Sequence, residues 1–154
     1  RIEKALAPES PYHAIVLAEA GIDRLGLSGM IAQIISFDIM LPAPAQRALA
    51  VQCKNDPHHL AHLFPISHPD TAICVMTERT FLSALGGGCS MPVGAYAIIK
   101  EGILILRGRV CALDGARMID VAGNCPATLA EGLKLAQDLA QKALEQGAKQ
   151  LVIE

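Results

Sequence analysis

The chain lacks the charge pattern of a nucleic-acid or membrane-surface protein. Its 154 residues contain 13 Lys and Arg against 15 Asp and Glu, only 18% of residues are charged, and the net charge is −2. Proteins that bind nucleic acid or anionic lipid carry a basic stripe or a run of Lys and Arg, and none is present. We therefore expect no nucleic-acid and no membrane partner, and any anionic ligand must be bound by a few individually placed arginines.

Long apolar runs and paired cysteines are also missing. The most uncharged stretch before Arg47 is broken by Asp38 and Pro42, so its apolar part is shorter than the roughly 18 residues of a transmembrane helix. No continuous apolar core near Arg1 indicates a signal peptide. The five cysteines are odd in number and include no C-x-x-C pair, which favours reduced thiols and a cytoplasmic protein. His58 and His62 stand one helical turn apart, but the sequence supplies no third ligand, so we expect no metal site.

Apolar residues are plentiful, at 52% of the chain with a mean hydropathy of +0.38, so a globular fold is expected. Near the amino end the pattern predicts a helix tail, a strand buried on both faces, a helix and a second short helix, over residues 1–6, 13–18, 19–25 and 28–35. Asp56 as N-cap with Pro57 at the first helical position predicts another helix. A strand followed by a helix is typical of an α/β domain.

From residue 70 onward the pattern predicts a separate α+β domain. Asp70 is expected to cap a helix with Ile73, Met76, Phe81 and Leu85 on its apolar face, and Gly86 is expected to end it. Turn residues separate three predicted strands over 93–99, 103–111 and 117–121, and Thr128 with Glu131 forms a capping box for a last helix that Gly147 closes. The prediction is a three-stranded antiparallel sheet with helices on one face.

Residues 85–97 present one thiol, Cys89, on a loop with few side chains. Gly86, Gly87 and Gly88 lack a Cβ, so the backbone can take positive φ and another molecule can approach Cys89 closely. Pro92 ends the loop before a predicted strand, which places the cysteine between elements, as expected for a reacting thiol. The alternative is that the glycines cap a helix and Cys89 is a small buried hydrophobe.

Gly21 and Arg24 are the second candidate pair for ligand binding. Both follow the predicted strand over 13–18, at the edge of an α/β sheet where ligands usually bind. The alternative is that Arg24 is a solvated helix residue paired with Asp23 or Glu19.

Four ordered blocks of the chain resemble the porphobilinogen deaminase (hydroxymethylbilane synthase) family. They are YHAIVLAEAGIDRLGL over 12–27, LPAPAQ over 41–46, ERTFLSAL over 78–85 and LGGGCSMPVGAYA over 85–97. The resemblance implies a transferase of tetrapyrrole and haem biosynthesis that joins four porphobilinogen molecules into hydroxymethylbilane on a dipyrromethane cofactor. It implies a thioether between that cofactor and Cys89, and a cofactor-binding role for Arg24, Gly21 and Arg1.

The family's architecture implies three parts for this chain. Residues 1–41 would end a periplasmic-binding-protein-like α/β domain, 42–69 would be a hinge and return segment of the first domain, and 70–154 would be the cofactor-carrying α+β domain. The family's catalytic aspartate is expected upstream of Arg1, so no catalytic residue is expected here. Expected partners are porphobilinogen and the missing amino-terminal half, in a protein that is monomeric when intact.

Two residues depart from the family pattern. Arg47 stands where the family has glycine in the hinge, and Gln52 stands where it has glutamate. Because of these departures, an inactive or partial homologue acting as a binding module stays open as an alternative. A further alternative is a cysteine hydrolase unrelated to pyrroles, in which Cys89 would pair with a histidine.

Overall fold

A computed structural model of the chain describes the backbone of residues 1–86 and 91–153, and it divides into two compact units, Arg1–Ser36 and Phe37–Glu154. The predicted cofactor residue Cys89 lies outside the described residues. The helices and strands in chain order are α1 (Ile2–Leu6), α2 (Glu19–Arg24), α3 (Pro57–Leu63), α4 (Pro69–Ala84), β1 (Val93–Lys100), β2 (Ile103–Cys111), β3 (Met118–Pro126), α5 (Leu129–Glu145) and α6 (Gln150–Ile153), with short 3-10 turns at Ser28–Met30 and Phe64–Ile66.

The amino-terminal unit has α1 and α2 where helices were predicted, but the predicted strand over 13–18 is wrong. The backbone there joins no ladder, and Val16 is 63% exposed. A strand buried on both faces needs neighbouring strands to satisfy its N–H and C=O groups, and the sheet of the described residues is formed from β1, β2 and β3 alone. The predicted helix over 28–35 is likewise reduced to the single 3-10 turn.

The second unit contains an antiparallel sheet in the order β1-β2-β3. Its first hairpin turns at Glu101 and Gly102, whose φ angles of 50° and 76° match the left-handed conformation of a two-residue hairpin turn. The register pairs Ala97 with Leu106, and Gly108 with Val121. The predicted three-stranded antiparallel sheet is confirmed, and β3 runs five residues beyond the predicted end at Val121.

Helices α4 and α5 cover one face of this sheet, which confirms the predicted α+β layering. The face they cover supplies about half of the buried core residues: Val93, Ala95, Ala97, Leu104, Leu106, Val110, Ile119 and Val121. Phe81 of α4 is fully buried and lies over Gly108, where an added Cβ would sit 2.3 Å from the Phe81 ring. A glycine at this position therefore lets the aromatic ring pack directly on the strand.

Local capping fixes the ends of the two long helices. Thr128 accepts a hydrogen bond from the Glu131 amide at 3.3 Å, and Gly86 and Gly147 take φ of 75° and 94° after the ends of α4 and α5, as predicted. The predicted cap at Asp70 is wrong. His68 is the N-cap of α4, because its Nδ1 accepts from the Thr71 amide at 3.2 Å and Pro69 occupies the first helical position.

The buried face of α4 also differs from the predicted stripe. Phe81 and Leu85 are buried as predicted, but Met76 is 46% exposed, and the buried positions include the polar residues Thr77 and Glu78. No helix in the part of the chain that the structure describes is both long enough and apolar enough to cross a bilayer.

Candidate functional site

Both flanks of the predicted cofactor loop are firmly anchored. Leu85, the C-cap of α4, is 6% exposed, and Val93, the first residue of β1, is 8% exposed. Gly86 follows the cap in the left-handed conformation with φ of 75°. The residues at both ends of the loop, Leu85 and Val93, are therefore fixed in the same hydrophobic core.

Arg24 is the last residue of α2 and is exposed. The carboxylate of its neighbour Asp23 accepts a hydrogen bond from the Ser28 hydroxyl at 2.5 Å. Within residues 1–86 and 91–153, the salt bridges that the structure contains do not include Arg24. The geometry thus gives no support to the alternative in which Asp23 or Glu19 neutralises this guanidinium.

Gly21 and Arg24 lie three positions apart on α2, so they are neighbours on one side of that helix. A Cβ built at Gly21 meets nothing within 4 Å, which means that the fold of this unit does not itself require glycine there. Arg1 is the exposed N-cap of α1. These three residues belong to the unit of residues 1–36, whereas the loop that contains Cys89 belongs to the other unit.

The four cysteines in the described part of the chain are free thiols: Cys53, Cys74, Cys111 and Cys125. Burial raises the pKa of Cys74 and of Cys125, which disfavours the nucleophilic thiolate at both positions. Cys74 lines a cavity of about 300 Å³ together with Glu78 and Arg47.

The Glu78 carboxylate contacts three residues, Ala45, Ala97 and Arg47, and no motif of the sequence marks it as a candidate. Its side chain is 5% exposed. Oε2 accepts the backbone N–H of Ala45 and Oε1 accepts that of Ala97, both at 2.7 Å. Burial raises the pKa of Glu78, and the two N–H donors and Arg47 oppose that rise. Glu78 therefore ties α4 both to β1 and to a loop more than thirty residues upstream.

Arg47 completes this contact from the other side. Its Nη2 donates to the Ala97 carbonyl at 2.9 Å and lies 3.9 Å from Glu78 Oε1, and its Cζ stands 4.0 Å from the centre of the Tyr96 ring. The last distance is that of a cation–π contact. The two side chains satisfy both backbone groups of Ala97, so they close part of the edge that β1 would otherwise expose. The departure at Arg47 is therefore accommodated by specific contacts.

A second group of contacts holds the start of the same loop, residues 37–48, which we call the docking segment. Arg109 is 8% exposed and grips Asp120 with two parallel bonds, Nε to Oδ1 at 2.6 Å and Nη2 to Oδ2 at 2.9 Å. Its Nη1 donates to the Ile39 carbonyl at 2.7 Å, and Arg107 pairs with Asp38 at 2.9 Å. Charge-assisted contacts of this kind are stronger than neutral ones.

Apolar contacts and one backbone hydrogen bond also hold the docking segment on the sheet. Leu41 is 7% exposed and packs against Gly94, where an added Cβ would lie 2.7 Å from the Leu41 Cβ. The Ala95 amide donates to the Pro42 carbonyl at 2.9 Å, and the ring of Phe37 lies 4.2 Å from that of Tyr96. The docking segment thus belongs to the same packed body as the sheet.

The predicted domain boundaries, at 41/42 and 69/70 of the intact protein, stay a prediction.

Two family models match consecutive parts of this chain. Residues 1–62 match "Porphobilinogen deaminase, dipyromethane cofactor binding domain", and residues 72–145 match "Porphobilinogen deaminase, C-terminal domain". These matches assign the chain to a class of multidomain, cofactor-binding proteins. The chain belongs to the porphobilinogen deaminase family, as the four sequence blocks predicted, and the first description agrees with the predicted dipyrromethane cofactor.

Individual relatives give the same result. The chain is 39% identical over 145 residues to the porphobilinogen deaminase of Nitrosomonas europaea and 39% identical over 145 residues to that of Laribacter hongkongensis, covering 94% of this chain and 46% of each relative. It is 45% identical over 111 residues to that of Legionella pneumophila strain Lens, covering 71% of this chain and 36% of the relative. The chain therefore spans less than half the length of these relatives.

Removing the Glu78 carboxylate should loosen the docking segment. In Glu78→Ala the amides of Ala45 and Ala97 lose their acceptor, and one unsatisfied buried N–H costs about 1–3 kcal/mol. We expect the free energy of unfolding in urea to fall by at least about 2 kcal/mol, with faster hydrogen exchange at Ala45 and Ala97. Glu145→Ala, on the exposed side of α5, should change stability by less than about 0.5 kcal/mol. Unchanged exchange at both amides would contradict this role.

The Arg109–Asp120 pair should make stability depend on pH in acid. The hydrogen bond from Arg109 holds the pKa of Asp120 below its ordinary value, so the folded state binds that proton less readily than the unfolded state. The stability that this pair contributes is present above the ordinary pKa of aspartate. It is lost as the pH falls through the lowered pKa of Asp120. Urea midpoints measured from neutral to acid pH should show a shallower acid decline for Asp120→Asn than for the unmodified protein. Parallel declines would show that the pair does not contribute.

Proposed function

We propose that the intact protein is a transferase that polymerises four porphobilinogen molecules into hydroxymethylbilane, on a dipyrromethane cofactor bound through a thioether to Cys89. The observation that carries this proposal is the segment between Leu85 and Val93, two residues that are buried in the core. It carries a single cysteine, and it falls within residues 72–145, the part of the chain that matches the family's carboxyl-terminal domain.

The chemistry required of Cys89 is that of an exposed nucleophile. Its thiolate would form a sulfur–carbon bond to an electrophilic methylene, and the group leaving that carbon would depart with the bonding electrons. A thioether does not exchange with other thiols, so the attachment would be permanent. When bound, the cofactor supplies the free pyrrole α-position to which each porphobilinogen is joined with loss of ammonia.

Arg24 suits the other requirement, which is to bind the carboxylates of pyrrole side chains. A guanidinium stays charged and can grip a carboxylate with two parallel hydrogen bonds. The exposure of Arg24, and the engagement of Asp23 with Ser28 instead, support this role. Gly21, on the same helix, has open space above its Cα for a ligand to approach. We assign Arg1 to the same group because it is exposed in the same unit.

We further propose that the activity requires residues beyond this chain. The chain spans 46% of the relatives from Nitrosomonas europaea and Laribacter hongkongensis, and the proposed reaction needs an acid–base carboxylate that we expect in the remaining part. Porphobilinogen would be the substrate, and the intact protein would act as a monomer in the cytoplasm.

The attachment is tested by mass spectrometry of the intact protein. We expect a covalent adduct that maps to the peptide containing Cys89, because this is the thiol we assign to the cofactor. Cys89→Ser should abolish the adduct and hydroxymethylbilane formation, with little change in the thermal midpoint. Cys111→Ser is the matched control and should keep both the adduct and hydroxymethylbilane formation. An unmodified Cys89 in an active preparation would overturn the proposal, as would an adduct that persists in Cys89→Ser.

Replacement of Arg24 tests the carboxylate contact. Arg24→Ala should lower cofactor loading or the rate of chain elongation at least tenfold, while the free energy of unfolding changes by less than about 1 kcal/mol, as expected for an exposed side chain. Arg24→Lys should restore only part of the activity, because an ammonium group cannot reproduce the planar guanidinium. Arg117→Ala, at an exposed arginine of the other unit, should leave cofactor loading and the rate of chain elongation unchanged. Normal turnover by Arg24→Ala would make Arg24 a solvated surface residue.

A further inference from the structure

We propose that His58, His59 and His62, together with Asp56, form a binding site for one divalent transition metal ion on α3. Sequence spacing alone marks only the pair His58 and His62, one helical turn apart. The structure brings Asp56 and His59 to the same place. These residues are not among those proposed to bind the dipyrromethane, so the metal-site proposal can be tested independently of the proposed function.

The donor atoms of Asp56 and two of the histidines lie near one another. One donor atom from each of Asp56, His58 and His59 can be chosen so that all lie within 4.8 Å of one another. The rings of His58 and His62 are 4.8 Å apart at their centres and cross at 76°. The ring of His58 therefore lies near the rings of both other histidines.

The ring separations match those of shared coordination. Metal–nitrogen bonds of about 2.0–2.1 Å place two imidazoles on one ion with ring centres roughly 5 Å apart. The His58–His62 pair is already at 4.8 Å, and the His58–His59 pair is at 5.7 Å. All three residues belong to one short helix, and coordination by His59 as well as His62 requires its ring to move closer to that of His58.

Asp56 is suited to orient His59. Its carboxylate accepts the His59 backbone N–H at 3.1 Å and also contacts the His59 Nδ1. A carboxylate that accepts the Nδ1–H of an imidazole holds the ring in the tautomer whose Nε2 is available to a metal. Asp56 would thus act as a positioning residue for His59, or as a ligand through its second oxygen.

The ligand set indicates the class of ion. Three imidazoles and one carboxylate suit Ni²⁺, Cu²⁺ and Zn²⁺, whereas Mg²⁺ and Ca²⁺ prefer an all-oxygen set. The partial positive charge of peptide groups at a helix start does not attract a cation, so the affinity must come from these side chains. The three histidines are exposed, which leaves the ion an open path and room for water as a remaining ligand.

Binding should also stabilise α3 itself. The helix has seven residues, and helices of this length are marginal unless other contacts support them. An ion held by His58 and His62 would link successive turns of α3. Contact of the ion with Asp56 would also hold the N-cap residue of the helix. Metal binding is then coupled to helix formation.

The experiment titrates the unmodified chain with Ni²⁺ and with Co²⁺, under reducing conditions and after removal of bound metal. We expect one ion per chain by calorimetry, and slower hydrogen exchange of the α3 amides when the ion is present. His58→Gln should weaken binding at least tenfold, and so should His62→Gln. Asp56→Asn should weaken it less, with the weakening accompanied by loss of exchange protection at His59.

Control variants separate this site from other donors. His13→Gln, at an exposed histidine of the other unit, should leave the affinity unchanged. A Co²⁺ complex without a thiolate charge-transfer band should form, because the expected ligands are nitrogen and oxygen. Failure to bind at millimolar metal, a thiolate band, or affinity unaffected by both His58→Gln and His62→Gln would each overturn the proposal.

Discussion

The buried carboxylate of Glu78 is the contact on which the arrangement of residues 37–154 most depends. A buried charge is costly unless its oxygens accept hydrogen bonds, and here each oxygen accepts one backbone N–H at 2.7 Å. One bond joins α4 to the edge of β1 and the other joins α4 to the docking segment. Arg47 then occupies the space beside the carboxylate, so three separate parts of the chain meet at one polar point inside an apolar unit.

The same contact bears on the proposed cofactor loop. Helix α4 and strand β1, which Glu78 connects, are the two elements that the loop joins. Their relative position is thus fixed by a hydrogen bond, and Phe81 of α4 also packs over Gly108 of the neighbouring strand β2. A loop that must present a nucleophile needs such fixed ends, because the elements at its ends determine where it is held. The docking segment, held by Glu78 at one end and Arg109 at the other, adds a cover over the β1 edge and the opposite face of the sheet.

Local signals in the sequence were enough to determine most of the second unit. The limits of β2, the capping of α5 by Thr128 and the start of α3 at Asp56 and Pro57 were all predicted correctly. These features depend on residues within four positions of one another, where side-chain hydrogen bonds and backbone preferences act directly. The family was likewise predictable, because its characteristic blocks are contiguous stretches of sequence.

Only the tertiary structure decided the features that join distant residues. The partners of Glu78 lie 33 and 19 positions away, and those of Arg109 lie up to 71 positions away, so no spacing rule could reveal them. The predicted strand over 13–18 was wrong for a related reason, since an apolar run forms a strand only when neighbouring strands accept its hydrogen bonds. The histidines of α3 were visible as a pair, but ring separations and the approach of Asp56 depend on side-chain conformations. The sequence by itself determined the local elements and the family, whereas contacts across the chain decided which polar groups meet.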